Sequence, residues 1–91
     1  MRAREYIDAL VRIHPDLALA DVLGADAALL VRIRELPVGF SWEDGAADGW
    51  YLLEDGEGWN LRWQERGAAV LGKAFKSLAE AIAWAFQERL I

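Results

Sequence analysis

Apolar residues return every three or four positions at the start of this chain. Ala3, Tyr6, Ile7, Leu10, Val11 and His14 share one side of a helical wheel, and Arg4, Glu5, Asp8 and Arg12 occupy the other. That spacing predicts an amphipathic helix over residues 2–14. Pro15 ends it or starts the next element. Residues 16–23 suit a short second helix, with Gly24 as its left-handed stop. Residues 26–36 admit two readings. Leu30-Val31-Arg32-Ile33-Arg34 alternates like a strand, but Asp26 suits an N-cap and Leu29, Leu30, Ile33 and Leu36 form one helical stripe. The Ala-rich start and the stop at Pro37 favour a helix.

The period then changes. Residues 50–53 and 59–64 are rich in aromatic and branched side chains, and Glu54-Asp55-Gly56-Glu57-Gly58 between them suits a tight hairpin turn. Trp59, Leu61 and Trp63 point one way along the second strand, while Asn60, Arg62 and Gln64 point the other. One buried face and one wet face describe an antiparallel sheet covered on a single side. Arg66-Gly67 reads as the next turn, residues 68–75 as a third strand, and residues 40–42 as a short fourth strand at an edge. A final helix spans residues 77–90. Ser77 and Glu80 form an S-x-x-E capping box, and Leu78, Ala81, Ile82, Ala85, Phe86 and Leu90 form its core stripe. Trp84 projects off that stripe, to a flank with Glu80, Glu88 and Ile91.

The expected architecture is therefore one α+β domain over residues 1–91. N-terminal helices precede a three- to four-stranded antiparallel meander, and a C-terminal helix packs on one face of the sheet. The chain is near the lower limit for a self-sufficient core, but 55% of its 91 residues are apolar. Cysteine is absent, which removes disulfides and thiolate metal sites. No apolar run reaches the ~18 residues of a membrane span, and the N-terminus lacks the apolar stretch of a signal peptide. These features fit cytoplasmic residence.

Charge narrows the class of partner. The net charge is −5, which disfavours nucleic acid or an anionic membrane and favours a basic partner. The acids are also concentrated. Glu43, Asp44, Asp48, Glu54, Asp55 and Glu57 fall within residues 43–57, with no Lys or Arg among them. Acidic turns keep hairpins soluble; they also make a docking surface that steers a basic partner. Tryptophans flank the acids. Trp59 and Trp63 read as core, Trp50 and Tyr51 must point to opposite sides of one strand, and Trp84 either covers a sheet edge or the N-terminal helices or joins an interface.

Candidate chemistry is sparse. The single histidine, His14, has no second His or Cys with which to hold zinc, so it reads as structural or capping. Ser77 is accounted for by its cap, and no Ser-His-Asp arrangement stands out. The carboxylates lie in Gly-rich turns, whereas acid–base work needs burial to raise one pKa. Residues 44–49 lack the alternating ligands and terminal Glu of an EF-hand loop. No catalytic, cofactor or metal residues are assigned.

Several motifs of the C-terminal half have a familiar order. Gly49-Trp50-Tyr51-Leu52-Leu53 is followed by Gly58-Trp59-Asn60-Leu61-Arg62-Trp63-Gln64-Glu65-Arg66-Gly67. Phe75-Lys76-Ser77-Leu78-Ala79-Glu80-Ala81 comes next, and Glu88-Arg89-Leu90 closes the series. This resembles small bacterial immunity proteins of polymorphic-toxin systems. They carry a Gly-x-Trp strand, a Glu-Arg-Gly turn and a Phe-x-Ser-x-x-Glu-Ala helix start. The chain departs from the pattern at residues 68–74, which are apolar and nearly uncharged where a polar, basic strand is expected; a buried or paired strand would account for this.

The resemblance implies a non-catalytic inhibitor that binds a toxin with a basic cleft in the cytoplasm and occludes its active site or substrate surface. Trp42, Glu43, Asp44, Asp48, Glu54, Asp55, Glu57 and Trp84 are then the partner-binding candidates, on a monomer rather than a homodimer. A phage anti-defence inhibitor of the anti-CRISPR kind and an acidic secretion chaperone share the same outline. Phage-gene neighbours would mark the first, and a helix-mediated dimer the second.

Overall fold

A computed structural model describes residues 1–91. Its elements run α1 (Ala3–Ile13), α2 (Leu19–Ala25), α3 (Ala27–Glu35), β1 (Gly49–Asp55), β2 (Gly58–Glu65), β3 (Ala68–Phe75) and α4 (Leu78–Gln87). The three strands form an antiparallel meander in the order β1-β2-β3. The α+β architecture predicted from the periodicities is the one observed, with three N-terminal helices and the C-terminal helix against the sheet.

Local chemistry sets most boundaries. Asp26 both ends α2 and caps α3, where its carboxylate accepts from the Ala28 N–H at 3.0 Å. The ambiguous segment is therefore a helix, terminated before Pro37 as expected. Gly24 is not the stop of α2; it lies inside the helix, facing Ala79 of α4, because the break falls at the extended Asp26. Ser77 Oγ accepts from the Glu80 N–H at 3.2 Å, the Ser77 half of the expected box. α4 stops earlier than residue 90. Arg89 adopts φ 61, the Arg89 N–H donates to Phe86 O and the Leu90 N–H donates to Ala85 O. These two bonds make a Schellman turn, a geometry glycine usually supplies.

The core lies between the helices and one sheet face. Ile7, Leu23, Ile33, Leu52, Leu61 and Ile82 are its largest fully buried side chains, one from every element but β3. Alternation along the strands puts Trp50, Leu52 and Glu54 of β1 on the helix side with Trp59, Leu61 and Trp63 of β2.

One expectation about the sheet needs correction. Residues 40–42 contribute a single bridge, not a fourth antiparallel strand. Ser41 pairs in parallel with Tyr51, donating to Trp50 O and accepting from the Leu52 N–H, each at 2.9 Å. The chain crosses the β1 edge here and cannot run along it, since residues 44–47 are needed on the opposite face. β3 is paired only on its β2 side, and every residue from Ala68 to Ala74 is exposed. The helices are too few to cover it: among them α4 reaches β3, and the one residue of the strand it shields is Phe75 at the end.

The face expected to be wet is partly covered as well. Residues 44–47 form a strap over it. Tyr51 Oη donates to Ala47 O at 2.6 Å, Gln64 Nε2 donates to Gly45 O, and an Arg62 guanidinium nitrogen lies 2.7 Å from Asp44 Oδ1. Gln64, read as solvent-facing from its alternation, is 4% exposed because the strap closes over it.

Candidate functional site

The hairpin end of the sheet brings aromatic side chains into one row. Phe40 and Trp42 stack edge to face with ring centroids 4.9 Å apart, and Trp42 meets Trp59 at 6.4 Å. Trp59 pairs across the strands with Phe75, and Phe75 lies 5.8 Å from Trp84 of α4. Such tilted and edge-on arrangements suit the ring quadrupoles. The segment after α3, two strands and α4 each supply part of the row. Trp42, Trp59, Phe75 and Trp84 are all half-buried, so each gives one side to the fold and keeps another accessible.

Two cations sit on this row. The Arg34 guanidinium lies 5.0 Å from the Trp42 ring centre and 5.5 Å from that of Trp59. Lys73 Nζ lies 5.7 Å from Phe75 and 5.6 Å from Trp84. These are cation–π distances.

Carboxylates rim the same end. Glu54 faces Trp59 across the β1–β2 ladder. Asp55, Glu57, Trp59, Phe75 and Lys76 line one shallow depression beside the turn. Asp55 Oδ1 accepts from the Glu57 N–H at 2.8 Å, an Asx turn that stiffens the tip. The ion pairs of the molecule are Arg32–Glu35 and Arg62–Asp44, so Glu54, Asp55 and Glu57 remain without a cationic partner.

The remaining acids are placed elsewhere. Asp44 holds Arg62 in the strap, and Asp48 Oδ1 accepts from the Arg66 N–H at 2.8 Å, tying the strap to the β2–β3 turn. Both serve the fold on the sheet face opposite the aromatic row. Glu43 lies exposed between the two groups. The eight residues chosen from sequence thus divide. Trp42, Glu54, Asp55, Glu57 and Trp84 gather at the hairpin end, whereas Asp44 and Asp48 fasten the strap. Trp59, Phe75, Arg34 and Lys73 belong with the first group and were missed. Trp59 shares its strand face with the core residue Leu61, and its meeting with Phe75 depends on the β2–β3 bulge, which shifts by one residue the register that the Arg66-Gly67 turn sets.

No three His, Cys, Asp or Glu side chains converge as a metal-binding group, and no helix is long and apolar enough to cross a membrane. The depressions on the surface are open and shallow, and the strap face carries one lined by Leu53, Asn60, Arg62, Val70 and Gly72. No protein-family model, curated protein or solved structure matches the chain.

Proposed function

We propose that this chain is a non-catalytic inhibitor, of the immunity-protein kind its C-terminal motifs resemble. It binds a toxin domain with a basic cleft in the cytoplasm and blocks access to the active site. The observation that carries this reading is the row of half-buried aromatics with the unpaired carboxylates Glu54, Asp55 and Glu57 beside it at the turn. Aromatic anchors at the centre and charges at the rim are how protein interfaces divide affinity from steering. The turn is stiffened by its own Asx bond, so little ordering cost attends docking.

The test begins with the protein encoded beside this chain's gene. It is expressed alone and together with this chain, and growth is followed. Growth arrest relieved by co-expression supports the proposal; arrest that co-expression leaves unchanged, or no arrest at all, overturns it. Surface assignment follows on the purified pair. Glu54→Lys with Glu57→Lys should slow association at least about tenfold and flatten its salt dependence. Unchanged kinetics in the folded double variant would remove this surface from the proposal.

A further inference from the structure

The two edges of the sheet are treated differently. Ser41 bonds the β1 edge and the strap wraps it, but nothing covers β3. The bonds to Ser41 show that Trp50 and Leu52 direct their backbone groups outward, so Tyr51 and Leu53 bond to β2. Antiparallel alternation then assigns Leu61 and Trp63 of β2 to Lys73 and Leu71 of β3. Gly72 and Ala74 are left with their N–H and C=O groups pointing away from the sheet. Val70 is the extra residue of a bulge, since Trp63 pairs with Leu71 and Gln64 with Ala69. Val70 and Leu71 are 57% and 62% exposed.

Alternating donors and acceptors on a strand edge are matched by another peptide backbone. Charge selects which kind. From Arg66 to Ala79 the chain holds Arg66, Lys73 and Lys76, all exposed, and no acid, within a protein of net charge −5. A second copy would set these cations against their own counterparts. A strand bearing carboxylates would meet them with opposite charge.

We propose that the outer edge of β3 receives an extended, carboxylate-bearing segment of another protein as a fourth strand. The segment places an acidic side chain beside Lys73 and an apolar one beside Leu71. It bonds through the N–H and C=O groups of Gly72 and Ala74. This site shares Lys73 with the aromatic row, but it bonds through the β3 backbone and stands whether or not the acidic turn binds a toxin.

The probes are two capped hexapeptides, Thr-Val-Thr-Glu-Thr-Val, whose Glu and Val side chains share one face, and its counterpart with Lys in place of Glu. They are titrated into the full chain while the backbone amides are followed by NMR. The Glu peptide should shift the Gly72 and Ala74 amides and slow their exchange, and the Lys peptide should bind roughly tenfold more weakly. Ala74→Pro removes one outward N–H without touching the β2 ladder and should abolish binding in a chain that still folds. Lys73→Glu should reverse the preference between the peptides. Equal binding of the two peptides, no shift at either amide, or undiminished binding by Ala74→Pro overturns the proposal. So does concentration-dependent self-association through these amides without peptide, or tighter binding there of a short single-stranded oligonucleotide.

Discussion

Replacing Gly58 by alanine tests how the hairpin end is built. Gly58 has φ 155, a conformation L side chains rarely adopt, and it closes the β1–β2 turn opposite Asp55. Holding a non-glycine residue there costs about 1–3 kcal/mol. A Cβ at this position would also collide with the Phe75 carbonyl oxygen and approach Lys76 Cα at 3.3 Å. These are backbone atoms, so relief requires β3 to move away from β2, and overpacking of this kind costs about 1–3 kcal/mol more. The two terms together predict a loss of about 2–6 kcal/mol. A chain of this length has a total stability of about 5–14 kcal/mol. The melting temperature should therefore fall by at least about 8 °C. Gly56 in the same turn is the control. Nothing lies within 4 Å of a Cβ built there, and its φ is not in the restricted range; Gly56→Ala should stay within about 0.5 kcal/mol of the parent. Urea unfolding followed by tryptophan fluorescence measures both, with an unchanged m-value as the check on comparability. A Gly58→Ala protein within about 0.5 kcal/mol of the parent would refute the reasoning, as would a Gly56→Ala protein that loses as much as Gly58→Ala.

Two further substitutions probe other parts of the fold. Ile82 is fully buried where α4 meets the sheet, so Ile82→Ala should cost about 2–5 kcal/mol in the same urea assay; a loss under 1 kcal/mol would contradict its place in the core. Arg89 holds the left-handed position of the turn after α4, where glycine avoids the Cβ clash. Arg89→Gly should raise stability by about 0.5–1 kcal/mol, and a clear loss by thermal melting would show that the arginine side chain contributes something the backbone geometry does not account for.

Much of the secondary structure was legible because it depends on neighbours in sequence. The period of α1, the Asp26 and Ser77 caps, the stop at Pro37 and the hairpin turns are decided within a few residues. They predicted the α+β order and placed each strand to within two residues. The competition between helix and strand at residues 26–36 was also settled locally, by the cap at Asp26.

The tertiary structure decided what those elements do for one another. The bulge at Val70 puts Trp59 beside Phe75; without it the register of the Arg66-Gly67 turn would set Trp59 against Ala74 and send Phe75 to the other face. Asp44 and Asp48 resemble Glu54 and Glu57 in sequence: acidic, close to glycine and exposed. They differ in function within the fold because Ser41 carries the chain across the β1 edge, which brings Asp44 to Arg62 and Asp48 to the Arg66 N–H. Exposure of β3 had the same origin. Its apolar composition pointed to a buried or paired strand; it is paired with β2, but burial depends on the space three short helices and α4 can fill over the sheet, and that space ends at Phe75. Contacts within a few residues are written in the local pattern; contacts between distant segments depend on how all the elements share one small core.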